Sequence, residues 1–383
     1  MTTTDRSAER AARWVATMHG GATADGVVVA HARPAPGVLA RPPRERLARE
    51  ELERALLVPG ATLAEGAGRR AREEEPDDER TCFERDRDRV LHSPAFRRLA
   101  GKTQVFVFPT DHQRTRLTHA LEVAQVATSV ARAAGLNVAL TEAIALAHDC
   151  GHGPGGHASE DAFDSFLPEG YDHAVWGADV VLAPLNLTTE VLDGVRNHSW
   201  SRPAPATPEA AVVSWADRCA YSAHDLEDAV ATGIVSAADL PPDVTAVVGR
   251  GRGQQLGTFV AALVTCIAET GIVGMRAEVA DALAGLRAFN YARIYHRPES
   301  EAQARAVVRV LQALVEHSAD RPHALLHTDG SPVQADPGSE AALRAAVEWV
   351  GGMTDRYAFR TAVAELDWDP AHLPRGVDTP RRR

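Results

Sequence analysis

Residues 142–157 read EAIALAHDCGHGPGGH, an apolar helical run that ends on His148-Asp149 and then breaks into glycines. His148, Asp149, His152 and His157 fall within ten residues of one another. This feature constrains the fold more than any other, because donors this dense at the end of a buried helix need compensation. A divalent metal that holds a phosphate ester and activates water suits such a nitrogen and oxygen set. Other helices must then pack closely enough to complete the ligands.

Two segments offer those ligands. In RTRLTHALEVAQVATSV, residues 114–130, His119, Val123, Val126 and Val130 recur at helical spacing, which puts His119 on the core-facing stripe. A lone histidine there would read as a satisfied core residue. Downstream, Val213, Asp217, Tyr221, Asp225 and Ala229 follow one another at intervals of four, so one stripe mixes apolar residues with two carboxylates and a phenol. Ionised carboxylates do not sit on a buried face uncompensated, since desolvation costs several kcal/mol or more per charge. Asp217, between Trp215, Ala216, Cys219 and Ala220, fits a solvated acidic face less well than Glu227 and Asp228 do. Two imidazoles and two carboxylates, His119, His148, Asp149 and Asp217, make a mixed site with positions left open for water and a phosphate oxygen. Manganese, iron, magnesium or zinc would suit it, with manganese or magnesium favoured.

The order H…HD…D is the signature of HD-domain metal-dependent phosphohydrolases, and a wider set of blocks extends the likeness. TCFERDRDRVLHSPAFRRLAGKTQVF (81–106), RTRLTHALEVAQ (114–125), EAIALAHDCGHGPGGHASED (142–161), LNLTTEVLDGVRNHS (185–199), WADRCAYSAHDLEDAVATGIV (215–235) and GMTDRYA (352–358) resemble the bacterial deoxyguanosinetriphosphate triphosphohydrolase family. The blocks stand in the family's order over roughly residues 68–360. The resemblance implies the same four metal ligands, His157 as proton donor to the leaving 5′ oxygen with Glu160 orienting it, and His152 on the phosphate chain. It further implies phosphate contacts from Arg116, Arg218 and His173, and a sugar site made by Tyr221 and Asp225. The context of His173 departs from the family, with Ala174, Trp176 and Gly177 where relatives carry Asn and a Gln-Ser pair. Ala100, after FRRL, replaces a Gln that relatives use on the sugar, so broad base tolerance is expected. Arg97, Arg98, Lys102 and Arg114 are open to two readings, substrate-binding phosphate helpers or surface ion pairs.

With 383 residues and 45% hydrophobic content the chain can bury a large core. Helix follows helix without alternating strands, so an all-α fold is expected, an HD-domain core at 63–235 with C-terminal helices at 236–383 packed on it and a loose tail from about 367. Residues 1–62 read as a partly mobile extension. A net charge of −11 argues against a nonspecific nucleic-acid coat. Cys82, Cys150, Cys219 and Cys266 show no CxxC spacing, and no apolar run reaches the length of a signal peptide or membrane span, so a cytoplasmic, membrane-free protein is expected. The expected activity is hydrolysis of deoxynucleoside triphosphates to deoxynucleoside and triphosphate. The competing readings are an HD phosphohydrolase for another nucleotide and a catalytically silent nucleotide sensor, which would have no need of His157. The resemblance also implies a homo-oligomer, with room for an allosteric nucleotide.

Overall fold

The structure, a computed structural model, describes residues 3–17, 21–22, 26–31, 36–107, 113–327 and 330–374. The chain divides at residue 44 into two units. In the first, helix α1 (Thr3–Ala16) precedes an antiparallel ribbon of two short strands, β1 (Gly21–Ala22) and β2 (Val28–Val29). The second, Glu45–Arg383, is built from helices α2 (Arg46–Leu56), α3 (Cys82–His92), α4 (Pro94–Arg98), α5 (Arg116–Ala134), α6 (Val138–Ala147), α7 (Ala158–Phe163), α8 (His173–Trp176) and α9 (Thr189–Arg196). It continues through α10 (Pro208–Ala231), α11 (Pro242–Val248), α12 (Arg252–Thr270), α13 (Ala277–Asn290), α14 (Pro298–Ala319), α15 (Glu340–Gly351) and α16 (Asp355–Leu366). The fold is all-α, as the lack of alternating strands predicts. No helix among the described residues is long and apolar enough to cross a membrane.

Local chemistry sets the ends of the helices that matter. Asn137 caps α6 by accepting from the Leu140 N–H at 3.1 Å. Thr207 does the same for α10 by accepting from Ala210 N–H at 3.2 Å, with Pro208 at the first helical position, where a missing N–H is harmless. Helix α5 stops at Gly135, whose φ of 70° is left-handed.

Around α5, α6 and α10 lies a core that includes Val123, Val126, Val130, Ile144, Val195 and Val213. Its helix faces are rich in alanine: Ala120, Ala124 and Ala127 on α5, Ala143 and Ala147 on α6, Ala216 and Ala220 on α10, all buried. Small side chains bring helix axes close, which lets short ligands from three helices reach one point. A second core joins α7, α14, α15 and α16 through Phe163, Val310, Leu314, Val347 and Phe359. A third joins α10, α11 and α13 through Leu226, Val244, Leu283 and Leu286. The long helix α10 thus serves two cores and carries its polar stripe between them.

Residues 45–62, grouped by composition with the N-terminal extension, lie in the second unit. Thr62 donates to Glu209 through both its N–H, at 3.0 Å, and its hydroxyl, at 2.7 Å, while Glu53 accepts from Asn137 at 3.1 Å. At the other end Trp368 and Leu373 pack against the second core. The rest of the expected loose tail, 375–383, lies outside the described residues.

Candidate active site

Helix α6 delivers His148 and Asp149 at its C-terminal end, and α5 and α10 deliver His119 and Asp217 against them. His119 Nε2 lies 3.0 Å from Asp217 Oδ1 and 3.9 Å from Asp149 Oδ2. His148 Nε2 lies 3.7 Å from Asp217 Oδ1 and 3.4 Å from Asp149 Oδ1. The four residues that sequence reasoning joins are therefore brought together.

The donor chemistry fits a metal. His148 donates through Nδ1 to the Ala145 carbonyl at 2.7 Å, which leaves Nε2 as a lone pair, and that atom is buried without a hydrogen-bond partner. An orphaned lone pair inside a protein costs free energy unless something accepts it. The carboxylates are held in their ionised form. Burial would raise Asp149, but Arg116 and the neighbouring histidines outweigh it and keep the group well below its usual range. Burial likewise opposes Asp217, and the hydrogen bond with His119 outweighs it. His119, His148 and Asp217 place one donor atom each within 4.8 Å of one another.

Beyond α6 the chain needs glycine. A Cβ on Gly151 would overlap the His173 carbonyl oxygen and lie 2.5 Å from Gly177 N, so the loop after the His-Asp pair is pressed against the segment that carries His173. Gly156, at φ 64°, leaves room for the Arg116 guanidinium, which a Cβ would meet at 2.7 Å. That loop carries His152, buried, and His157, three-quarters exposed at the start of α7. His157 Nδ1 donates to Glu160 at 2.8 Å, and His173 Nδ1 donates to the same oxygen at 3.0 Å. Burial pushes Glu160 up, yet these two bonds hold it far below the ordinary carboxylate range, so it stays an anion between two rings. His152 stacks on His173 with ring centres 3.7 Å apart. Burial, then Arg116, keeps His152 well below its ordinary value and hence neutral.

A cavity of about 440 Å³ opens beside this cluster, lined among others by Arg116, His157, Arg218, Tyr221 and Asp225. Arg116 is buried and donates to Asp149 Oδ2 at 2.6 Å, while its Nε and Nη2 are buried without partners. The Arg218 guanidinium carbon lies over the Trp200 ring, 3.6 Å from its centre. The Tyr221 hydroxyl accepts from Arg287 at 2.6 Å, and Asp225 accepts from the Tyr295 hydroxyl. Burial drives Asp225 up to about 7 despite that bond.

Lys102 is not brought to this cavity. Its ammonium lies beneath the loop, donating to the carbonyls of His152 and, at 3.0 Å, of Gly351. Burial pulls it down to about 7, and it props the backbone instead of facing the space beside the cluster. Arg114 is spent on ion pairs with Glu122, Glu227 and Asp228.

Several lining residues escaped sequence reasoning. Arg287, Tyr291 and Tyr295 are four apart, and that stripe in RAFNYARIY was the available signal. Gln104, whose Oε1 is buried and unpartnered, and His198, at the end of RNHS, carry no local pattern that would single them out.

The HD domain matches residues 116–222, and a phosphohydrolase-associated domain matches residues 273–363. Curated relatives named deoxyguanosinetriphosphate triphosphohydrolase-like protein align along most of the chain. One from Caldanaerobacter subterraneus subsp. tengcongensis is 41% identical, covering 81% of this chain and 92% of the relative. Another from Clostridium perfringens is 37% identical, covering 80% and 93%. A third, like protein 1 from Deinococcus radiodurans, is 35% identical, covering 82% and 97%. A solved hypothetical protein from Aquifex aeolicus is similar at a TM-score of 0.43 and 17% identity, over 72% of this chain and 70% of that one. Carrying the HD domain around its His/Asp cluster and sharing at least 35% identity with these three relatives, the chain belongs to the deoxyguanosinetriphosphate triphosphohydrolase-like family of HD-domain phosphohydrolases.

Proposed function

We propose that this protein hydrolyses deoxynucleoside triphosphates to deoxynucleoside and inorganic triphosphate. The observation that carries the reading is Arg116, a buried guanidinium with two unpartnered N–H edges beside the His/Asp cluster. A buried cation with idle donors calls for an anion of matching geometry, and phosphate oxygens fit its planar fork. Arg218, stacked on Trp200, adds a second cation on the same cavity. A long phosphate chain needs both.

His119, His148, Asp149 and Asp217 would hold the divalent ion, which supplies Lewis acidity and a water of lowered pKa. Water then attacks the α-phosphorus, the P–O5′ bond breaks, and the phosphate chain leaves intact as triphosphate. The departing 5′ oxygen takes its proton from His157, whose Nδ1 stays bonded to Glu160 so that Nε2 is the donating atom. Tyr221, Tyr295 and Asp225 form the wall that reads the sugar, with Tyr221 packed where a 2′ hydroxyl would project and Asp225 accepting from the 3′ hydroxyl. Glu160 is a positioning residue.

The purified protein, loaded with manganese, is incubated in heavy-oxygen water with each common deoxy- and ribonucleoside triphosphate, and the products are separated by anion exchange. The expected products are deoxynucleoside and labelled triphosphate, with ribonucleotides turned over more slowly. Label in single orthophosphate beside a nucleoside diphosphate would replace this reading with attack at the γ-phosphate.

A further inference from the structure

We infer that Asp355 is a positioning residue, which holds the glycine loop 151–157 so that His157 meets the departing 5′ oxygen; the inference rests on the assignment of His157 as proton donor. Asp355 belongs to the block GMTDRYA and opens α16, 200 residues away in sequence from the loop it holds. Its buried carboxylate accepts three hydrogen bonds. Oδ2 takes the Thr103 N–H at 3.0 Å and the Thr103 hydroxyl at 2.6 Å, and Oδ1 takes the Gly155 N–H at 2.9 Å. One carboxylate therefore ties the cavity wall at Thr103 to the loop two residues before His157.

The loop is held from outside because it has little to hold itself. Residues 151, 153, 155 and 156 are glycine, so few side chains restrict the backbone. Partners on the surrounding elements replace them: the Tyr171 hydroxyl donates to the Gly151 carbonyl at 2.6 Å, Lys102 donates to the His152 carbonyl, and Gly153 N–H donates to Ser159 Oγ at 2.9 Å. The C-terminal region supplies three more restraints. Asp355 takes Gly155, the Gly351 carbonyl anchors Lys102, and Val307 of α14 packs so close that a Cβ on Gly155 would lie 2.4 Å from its Cγ1. His157 itself is three-quarters exposed, and its bond to Glu160 lies within the same segment, so its reach into the cavity depends on the backbone that carries it. A misplacement of about 1 Å can cost about 100-fold in rate.

The donors explain why the residue is a carboxylate. Backbone N–H groups only donate, so both oxygens of residue 355 must accept. In Asn one of the two becomes an amide nitrogen, a donor against a donor. The amide oxygen stays at Thr103, where it receives two bonds, and the nitrogen falls on Gly155, which is released. Asp355→Asn thus frees the loop while the shape of the side chain is kept.

Full-length wild type, Asp355→Asn, His157→Gln and the double variant, each loaded with manganese, are compared for triphosphate release. Asp355→Asn is expected to bind manganese as wild type does, because the four ligands lie on α5, α10 and the end of α6. It is expected to lose roughly tenfold or more in kcat with KM changed less than about twofold. In the His157→Gln background the same change is expected to cost less than about twofold, because the proton donor it would misplace is gone. A merely structural carboxylate would lower Tm and leave kcat of the folded protein alone, and one acting elsewhere would multiply with His157→Gln. Either result overturns the proposal, as does loss of manganese binding in Asp355→Asn. Should Asp355→Asn not fold, Thr103→Val, which removes the hydroxyl bond to the same carboxylate, takes its place in the cycle. A loss of about threefold in kcat that vanishes beside His157→Gln then supports the proposal, and no loss, or a loss that persists, overturns it. Wild type releasing no triphosphate from any deoxynucleoside triphosphate overturns the activity and the inference with it, whereas an active wild type with independent variants overturns the inference alone.

Discussion

Asp225 offers the sharpest physical test, because its burial is expressed as a stability that depends on pH. The side chain is 3% exposed, and burial lifts its pKa from an ordinary 3.8 to about 7 in the folded protein. A carboxyl with a raised folded pKa binds its proton more tightly when folded. The stability it contributes is therefore complete below the unfolded value and is lost as pH rises through the folded one. Replacing it with the near-isosteric amide, Asp225→Asn, removes that pH dependence while keeping an acceptor for the Tyr295 hydroxyl. Between about pH 5 and about pH 8, a shift of this size takes roughly 2.5 kcal/mol from the wild type that the variant does not lose. Urea unfolding of both proteins in chelator, so that no cation perturbs the site, measures the difference directly. The variant's stability relative to wild type should grow by about that amount across the interval, the other titrating groups being common to both proteins. A relative stability that stays flat from about pH 5 to about pH 8 would mean that Asp225 is ionised at no cost, and its burial would have to be compensated by groups not identified above.

Arg116→Ala removes the buried fork and leaves Asp149 without its guanidinium, a loss on the order of 3 kcal/mol, so kcat/KM for deoxynucleoside triphosphates should fall about 100-fold; steady-state kinetics giving a loss of less than threefold would detach it from the phosphates. Asp217→Ala should abolish high-affinity metal binding by dialysis and remove the rise in Tm that manganese is expected to give the wild type; undiminished binding would relocate the ion. Gly151→Ala should cost at least about 1–3 kcal/mol in urea unfolding, because the new methyl meets backbone on the His173 segment rather than a side chain that can move. His157→Gln, at an exposed position, should fold normally yet lose about 100-fold or more in kcat with KM little changed; equal loss in KM would assign it to binding.

What the sequence disclosed and what it withheld divide along a physical line. His119, Asp217, Tyr221 and Asp225 were legible because each sits on a helix whose period-four stripe exposes a polar residue where an apolar one belongs. His148 and Asp149 were legible because α6 is apolar almost throughout and ends on them. Lys102 is a candidate phosphate helper because a lysine inside a recognised block carries charge, but periodicity says nothing about which side of a loop it faces; carbonyls of His152 and Gly351, the latter 249 residues away in sequence, decide that. His198 depends on how α9 ends against α6, and Tyr295 on how the third core docks α13 on α10. Both are consequences of tertiary packing, without a local signature.

The same packing explains why the site can be so polar in so apolar a setting. The carboxylates of Asp149 and Asp217 would be costly in that core alone, yet among the described residues their ion-pair partners are imidazoles and the Arg116 guanidinium. Arg116 spends only one of its nitrogens on Asp149, so the pair settles the charge of the carboxylate without exhausting the cation. Buried ion pairs seldom repay their desolvation in stability, and one with donors left idle repays less. Its retention in the centre of the fold is understandable if a ligand completes it. The unpartnered atoms there, on Arg116, His148 and His152, are then those that a bound metal ion and a phosphate would satisfy: an imidazole lone pair for the ion and N–H groups for phosphate oxygens.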